Sequence, residues 1–374
     1  MNLTLCLTHD CNLACAYCYA GAKRRDAMTW DVAQRAIDFA FGPDDAKRQL
    51  GFFGGEPLMQ WNLLRRALEY AESIDTPEGV TLLKTLTTNG TLLDDDKLAW
   101  LAERDVFLAV SIDGDRAMHD LTRPLRGGGS SFDACVAGLR RALAVLPQTE
   151  VIVVPDPRNV WRLADGVKHL ADETGAIRIS INPNFYVEWP QASLDAWRRE
   201  FEKLGAFYIE RFRSGRPLYL NFIDGKVITR LKDGFEACDR CSFGEDEIAV
   251  APSGRIYPCE RLVGEDTNDE VCIGTVHEGF DVDKRLALMA RRGNTNDDCL
   301  ECRLKHRCMN WCGCINYATT GSIDRVDGVV CFHERMAIAI ADRVANTLYE
   351  EGNRAFLEQF YYETLDGDET ARGG

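Results

Sequence analysis

Between residue 3 and about residue 182, short runs dense in aliphatic and β-branched residues alternate with longer stretches whose apolar positions recur at helical spacing. The short runs predict strands at Leu3 to Leu7, Gln49 to Phe53, Leu82 to Thr87, Phe107 to Ile112, Glu150 to Val154 and Ile177 to Ile181. The longer stretches predict helices at Trp30 to Phe41, Leu58 to Ser73, Asp94 to Arg104, Phe132 to Leu146 and Val160 to Thr174. Strand and helix in alternation imply a parallel sheet covered by helices. Six such units fall two short of a closed eight-stranded barrel. The expected fold is therefore α/β, a partial (β/α)6 TIM-like barrel over residues 1–190, working at the C-terminal ends of its strands.

The pattern then changes. A charged, aromatic segment from Ser193 to Arg213 predicts a long helix within a bridge over 191–235. From 236 to 335 turn residues, short strands and cysteines leave too little apolar periodicity for a large hydrophobic core, and metal clusters would replace it in an α+β domain. Met336 to Phe356 predicts a closing helix, followed by a polar tail from Asp366 to Gly374, over 336–374.

Composition narrows the partners. The 374 residues suffice for two or three domains, and 45% hydrophobic with 28% charged residues is the balance of a folded globular chain. Lys+Arg of 44 against Asp+Glu of 59 leaves a formal charge of −15, which repels polyanions and argues against nucleic acid. No apolar run approaches the roughly 20 residues of a membrane helix. The N-terminus lacks the basic flank of a signal peptide, so a cytoplasmic location is the expectation.

Fifteen cysteines in a reducing compartment call for thiolate ligation of metal rather than disulfides. Cys11, Cys15 and Cys18 form C-x3-C-x2-C in the loop after the first predicted strand. Three thiolates on a four-iron cubane leave one iron open to a small molecule, whereas a cluster that only stores electrons normally has four protein ligands. A zinc site with His9 as fourth ligand is the structural alternative.

The run CNLACAYC resembles the CxxxCxxC signature of the radical S-adenosylmethionine (SAM) superfamily, with Tyr17 as the aromatic before the third cysteine. Gly54-Gly55-Glu56-Pro57 after the second strand is similar to the superfamily's GGEP motif, which implies that Glu56 holds the amino group of SAM. Thr88-Asn89-Gly90 and Ser111-Ile112-Asp113-Gly114 follow the third and fourth strands, and the resemblance places polar contacts to SAM at Asn89, Ser111 and Asp113. His119 to Arg123, with Gly129-Ser130-Ser131-Phe132-Asp133, resembles a stretch of the peptide-modifying branch and implies that Arg123 pairs with the SAM carboxylate. Each motif taken alone also reads as an ordinary turn. Their order at successive strand ends is what binds them together.

A second set, Cys299, Cys302, Cys308 and Cys312 in C-x2-C-x5-C-x3-C, with Cys331 beyond and Cys238, Cys241 and Cys259 upstream, is similar to the SPASM extension of such enzymes. The resemblance implies one auxiliary cluster on Cys238, Cys241, Cys259 and Cys312, and another on Cys299, Cys302, Cys308 and Cys331. With the SAM-binding cluster this makes three [4Fe-4S] clusters. Cys238 and Cys241 are spaced more tightly than in sulfatase-maturing members, Cys272 and Cys314 are surplus, and Cys314 is an alternative to Cys312. Zinc ribbons are the alternative for the C-x2-C pairs. Cys6 and Cys135 read as buried small apolar residues. Glu260, next to Cys259, stands where related maturases have a carboxylate base, and a partly desolvated carboxylate suits that role; a solvated Glu, or one paired with Arg261, is the plainer reading.

The expected function is a radical SAM/SPASM oxidoreductase that generates a 5′-deoxyadenosyl radical and oxidatively modifies a ribosomally made precursor peptide, forming a side-chain cross-link. Formylglycine formation on a sulfatase, small-molecule dehydrogenation and a non-catalytic electron-transfer or zinc scaffold are the alternatives. A flavodoxin- or ferredoxin-like one-electron reductant is the expected partner. Because the first strand begins at residue 3, leader recognition is expected to fall to the barrel rim, the cysteine-rich region or a separate protein.

Overall fold

The computed structural model describes residues 1–42, 48–76, 79–293 and 296–361. Its first six strands are β1 (Asn2–Cys6), β2 (Arg48–Phe53), β3 (Leu82–Thr88), β4 (Phe107–Ser111), β5 (Glu150–Val153) and β6 (Arg178–Ile181). They pair in parallel and in chain order, as the alternating pattern predicts. β7 (Tyr219–Leu220) extends this edge.

Alternation along the strands separates two faces. Leu3, Leu5 and Leu50 are buried in the core, whereas Thr4, Gly51 and Thr85 lie in one register across β1, β2 and β3 and line a central cavity. The covering helices follow the 3.6 period: on Trp30–Ala40 the buried positions are Val32, Ala33, Ala36, Ile37 and Ala40, and Thr29 caps the N-terminus by accepting from Val32 N.

Three features depart from the sequence reading. The cysteine-rich segment does not form a sheet of its own. β8 (Glu247–Val250) pairs in parallel with the free edge of β1, and β9 (Arg255–Tyr257), β10 (Gly274–Thr275) and β11 (Gly279–Phe280) follow antiparallel, giving the order β11-β10-β9-β8-β1-β2-β3-β4-β5-β6-β7. The hydrophobic core accordingly runs on through Ile248, Val250, Ile256 and Ile273. The closing helix starts at Gly328, not Met336, because Asp327 caps it by accepting from Val329 N; Cys331, His333 and Glu334 interrupt the apolar pattern of its first turns and hide them from periodicity. It ends at Glu350, Gly352 takes φ +62°, and Arg354–Phe360 is a separate helix. The expected tail from Asp366 lies outside the described residues.

Candidate functional site

A cavity of about 400 Å³ opens inside the barrel, and Cys11, Cys15 and Cys18 line it together with Gly54, Gly55, Glu56, Asn89, Ser111 and Arg123. The loop carrying the cysteines is clamped from two sides. On one side Gly55 N donates to Thr8 O and Glu56 N to Asp10 O. A Cβ on Gly55 would lie 2.0 Å from Asp10 O, and one on Gly54, which has φ +125°, 2.6 Å from Thr8 O. Only glycine permits this approach of backbones. On the other side Ala14 N donates to Pro124 O and Ala16 N to Thr122 O, so the segment around Arg123 holds the loop through its main chain.

Glu56 is fully buried and satisfied by Thr88 Oγ1 at 2.6 Å, Asn89 N at 2.8 Å and Leu58 N at 3.0 Å. Burial outweighs these donors and raises its pKa above the usual carboxylate range, so a cation entering the cavity would favour its charged form. Asn89 Nδ2 donates to Asn12 Oδ1 at 2.8 Å and lies 3.9 Å from Cys11 Sγ. Lys23 Nζ lies 2.7 Å from Cys18 Sγ.

Asp113, expected to touch SAM, does not line the cavity. It is fully buried, and accepts from Tyr17 OH at 2.8 Å, Thr122 Oγ1 at 2.8 Å and Val154 N at 2.9 Å. Tyr17 in turn accepts from Arg123 Nη1 at 2.6 Å. Arg123 Nε is buried without a hydrogen-bond partner among the described residues. Beneath this group His119 Nδ1 accepts from Asp113 N at 3.3 Å while Nε2 meets Ser131 Oγ at 2.8 Å. Burial and the nearby Arg123 push the His119 pKa down to about 3.

The opposite wall comes from residues the sequence reading passed over. Phe53, Tyr19 and Tyr186 stack in a row, with centroids 6.0 and 5.7 Å apart. The Arg261 guanidinium lies 5.6 Å from the Tyr19 ring and lines the cavity beside Glu260. Asn182, Pro183 and Asn184 line it from the end of β6. The strand-end rule that found Asn89 and Ser111 also picks out this run, and adjacency to Cys259-Glu260 was the signal for Arg261. Glu260 Oε2 lies 3.5 Å from Cys259 Sγ.

All fifteen cysteines are free thiols. Cys299, Cys302, Cys308 and Cys331 line one small cavity, the same four that the resemblance grouped. The other cysteines lie as follows. Cys312 Sγ lies 3.5 Å from Cys314 Sγ, Cys314 meets the Cys259 thiol, and Cys241 is close enough to Cys312 to feel its charge. Cys238 is exposed, with its thiol toward Glu236 Oε2 at 3.5 Å. Cys314, which the sequence reading held as surplus or as an alternative to Cys312, thus lies beside both Cys312 and Cys259. Cys272 donates to Gly274 O at 3.3 Å, and Cys6 and Cys135 are buried.

These donors fit iron-sulfur clusters. Burial pushes the Cys15 thiol up to about 11 and, helped by Glu334, the Cys308 thiol up to about 12; thiolates so enclosed need a metal beside them. Donor sets dominated by soft sulfur select Fe–S clusters or zinc.

Comparison with known proteins agrees. The sequence profile of the radical SAM superfamily matches residues 5–168. A serine-type anaerobic sulfatase-maturating enzyme of Bacteroides thetaiotaomicron is 30% identical over 299 residues, covering 68% of this chain and 67% of that protein. In fold, the chain is similar to native anSMEcpe with bound AdoMet, with a TM-score of 0.78 at 18% identity, covering 93% of this chain and 99% of that one. It is also similar to Streptococcus suis SuiB bound to the precursor peptide SuiA, with a TM-score of 0.60 at 18% identity, covering 88% and 75%. With the triple-cysteine loop at the mouth of a partial barrel and a cysteine-rich extension on the same sheet, the chain belongs to the radical SAM superfamily and is an enzyme of its sulfatase-maturase, SPASM-containing type.

Proposed function

We propose that the protein oxidatively modifies a ribosomally made precursor peptide by forming a cross-link at a side-chain carbon. The observation that carries this reading is that one cavity is lined both by Cys11, Cys15 and Cys18 and by Glu260 beside Cys259, so a substrate atom can face the radical source and a base together. The fold likeness to SuiB, which was captured with its precursor peptide, supports a peptide substrate.

The SAM-binding cluster would be held by Cys11, Cys15 and Cys18, and supplies, once reduced, the electron that cleaves SAM to a 5′-deoxyadenosyl radical. Glu56, Gly54 and Gly55 would receive the amino group of SAM, Arg123 its carboxylate and Ser111 its ribose, while Tyr17, Asn89 and Asp113 hold these residues and the cysteine loop in position. The second auxiliary cluster would take Cys299, Cys302, Cys308 and Cys331. The first would draw on four of Cys238, Cys241, Cys259, Cys312 and Cys314. Glu260 accepts the substrate proton, and the stacked Phe53, Tyr19 and Tyr186 keep water from the radical path.

The test uses protein reconstituted anaerobically with iron and sulfide, SAM, dithionite and synthetic candidate precursor peptides. A product lighter by two hydrogens supports the reading; SAM cleavage with unchanged peptide mass contradicts it. Sulfatase maturation is the second reading, favoured by the 30% identity to the Bacteroides enzyme. A sulfatase-derived peptide that gains an aldehyde at its Ser or Cys would select it.

A further inference from the structure

The cavity of Cys299, Cys302, Cys308 and Cys331 is bounded on one side by Glu334. This carboxylate is only 1% exposed. Its Oε2 accepts from Lys226 Nζ at 2.7 Å and from Met309 N at 2.6 Å. Lys226, also buried, donates a second bond to Arg307 O at 3.0 Å. The neighbouring Arg307 is engaged elsewhere, in a bidentate pair with Asp342 at 2.7 and 3.0 Å. Lys305 and Arg335 line the cavity from its other walls.

A buried ion pair is poor value as a stabiliser, since packed apolar residues of equal volume hold a core as well. Its position is therefore informative. One cation and one anion are fixed at the wall of a thiol pocket, the anion on the inner side and the cation behind it. In a low-dielectric site, single charges act strongly on anything that gains or loses an electron.

We propose that the Lys226–Glu334 pair sets the reduction potential of the cluster held by Cys299, Cys302, Cys308 and Cys331, by presenting a fixed carboxylate to the sulfurs while Lys226 behind it offsets that one charge. The inference rests on the ligand assignment under the proposed function. In the step concerned, one electron passes from the external one-electron reductant to the cluster, whose charge becomes more negative by one, and no bond or proton moves. Removing Glu334's charge leaves Lys226 unopposed and favours reduction. Removing Lys226's charge leaves the carboxylate unopposed and disfavours it.

The test is an EPR-monitored redox titration of full-length protein reconstituted with iron and sulfide, in a background lacking Cys11, Cys15 and Cys18 so that only auxiliary clusters report. One auxiliary signal should vanish in Cys331→Ala. The midpoint of that signal should rise in Glu334→Gln and fall in Lys226→Met, with the other signal unmoved. Should either single variant lose its iron, the exchange Lys226→Glu with Glu334→Lys decides, because it turns the cation toward the sulfurs and should raise the midpoint. A signal that persists in Cys331→Ala overturns the ligand assignment and the inference with it. A signal lost in Cys331→Ala but unmoved by the charge variants, or moved the same way by both single variants, overturns the inference alone.

Discussion

The phenol of Tyr17 donates to Asp113 Oδ2 at 2.8 Å, and this bond ties the loop between Cys15 and Cys18 to the end of β4. We propose that Asp113 is a positioning residue, because it meets the cavity through Tyr17 and Val154, which line it, and not directly. In Asp113→Ala three donors, the buried hydroxyl of Thr122 and the half-buried groups of Tyr17 and Val154, lose their acceptor. At about 1–3 kcal/mol for each unsatisfied group, the loss should reach at least about 3 kcal/mol in chemical denaturation. The KM for SAM should rise about tenfold, whereas Asp113→Asn, which keeps one acceptor, should lie between. Wild-type stability in Asp113→Ala would contradict this role.

Gly55 makes a second prediction. Its missing side chain lets the backbone cross Asp10 O, which a Cβ would approach to 2.0 Å. Gly55→Ala should therefore displace the cysteine loop, costing about 3 kcal/mol or more, and iron bound at the first site should fall in elemental analysis. Gly127→Ala, where a Cβ meets nothing within 4 Å, is the control and should leave both unchanged.

His119 predicts a pH dependence. Its pKa is held near 3 in the folded protein against an ordinary value of 6.5, so the unfolded chain binds the extra proton between these values. Stability is then complete above about pH 6.5 and falls as pH drops toward 3, by up to about 1.4 kcal/mol per unit from this residue. His119→Asn should flatten that part of the profile in denaturation experiments run from pH 7 to pH 4. An unchanged slope would show that His119 is not the source.

Glu260 separates radical formation from product formation. Glu260→Gln keeps the side-chain volume beside Cys259 but removes the base. Peptide product should fall about 10²–10⁴-fold while 5′-deoxyadenosine continues to form. Product within a few-fold of wild type would remove Glu260 from the proton path.

Much of this architecture is legible before any coordinate. The six parallel strands are readable because each alternates with a helix of clear period, and the motifs at their ends are readable because strand ends are where such folds gather polar residues. Asp113 shows the limit: a motif locates a residue at the right strand end, yet whether its carboxylate faces the cavity or turns behind Tyr17 is settled by packing. β8 was missed as part of the main sheet because Glu247–Val250 is short and its partner β1 lies some 240 residues earlier. Cys314 illustrates a third limit. Spacing alone treats it as surplus, but the turn into Gly313–Thr320 sets it beside Cys312 and Cys259. Tyr19 and Tyr186 share a wall with Arg261 only because three distant segments converge, and no local pattern marks the two tyrosines.

The central claim is that three thiolates, and no fourth, hold a cluster whose remaining iron binds SAM. The most direct measurement is 5′-deoxyadenosine formed from SAM and dithionite by anaerobically reconstituted wild-type protein and Cys15→Ala, alongside iron and sulfide content. The account predicts about twelve irons per wild-type chain, about four fewer in Cys15→Ala, and no cleavage by the variant. Undiminished cleavage by Cys15→Ala, or zinc without sulfide in the wild type, would contradict it.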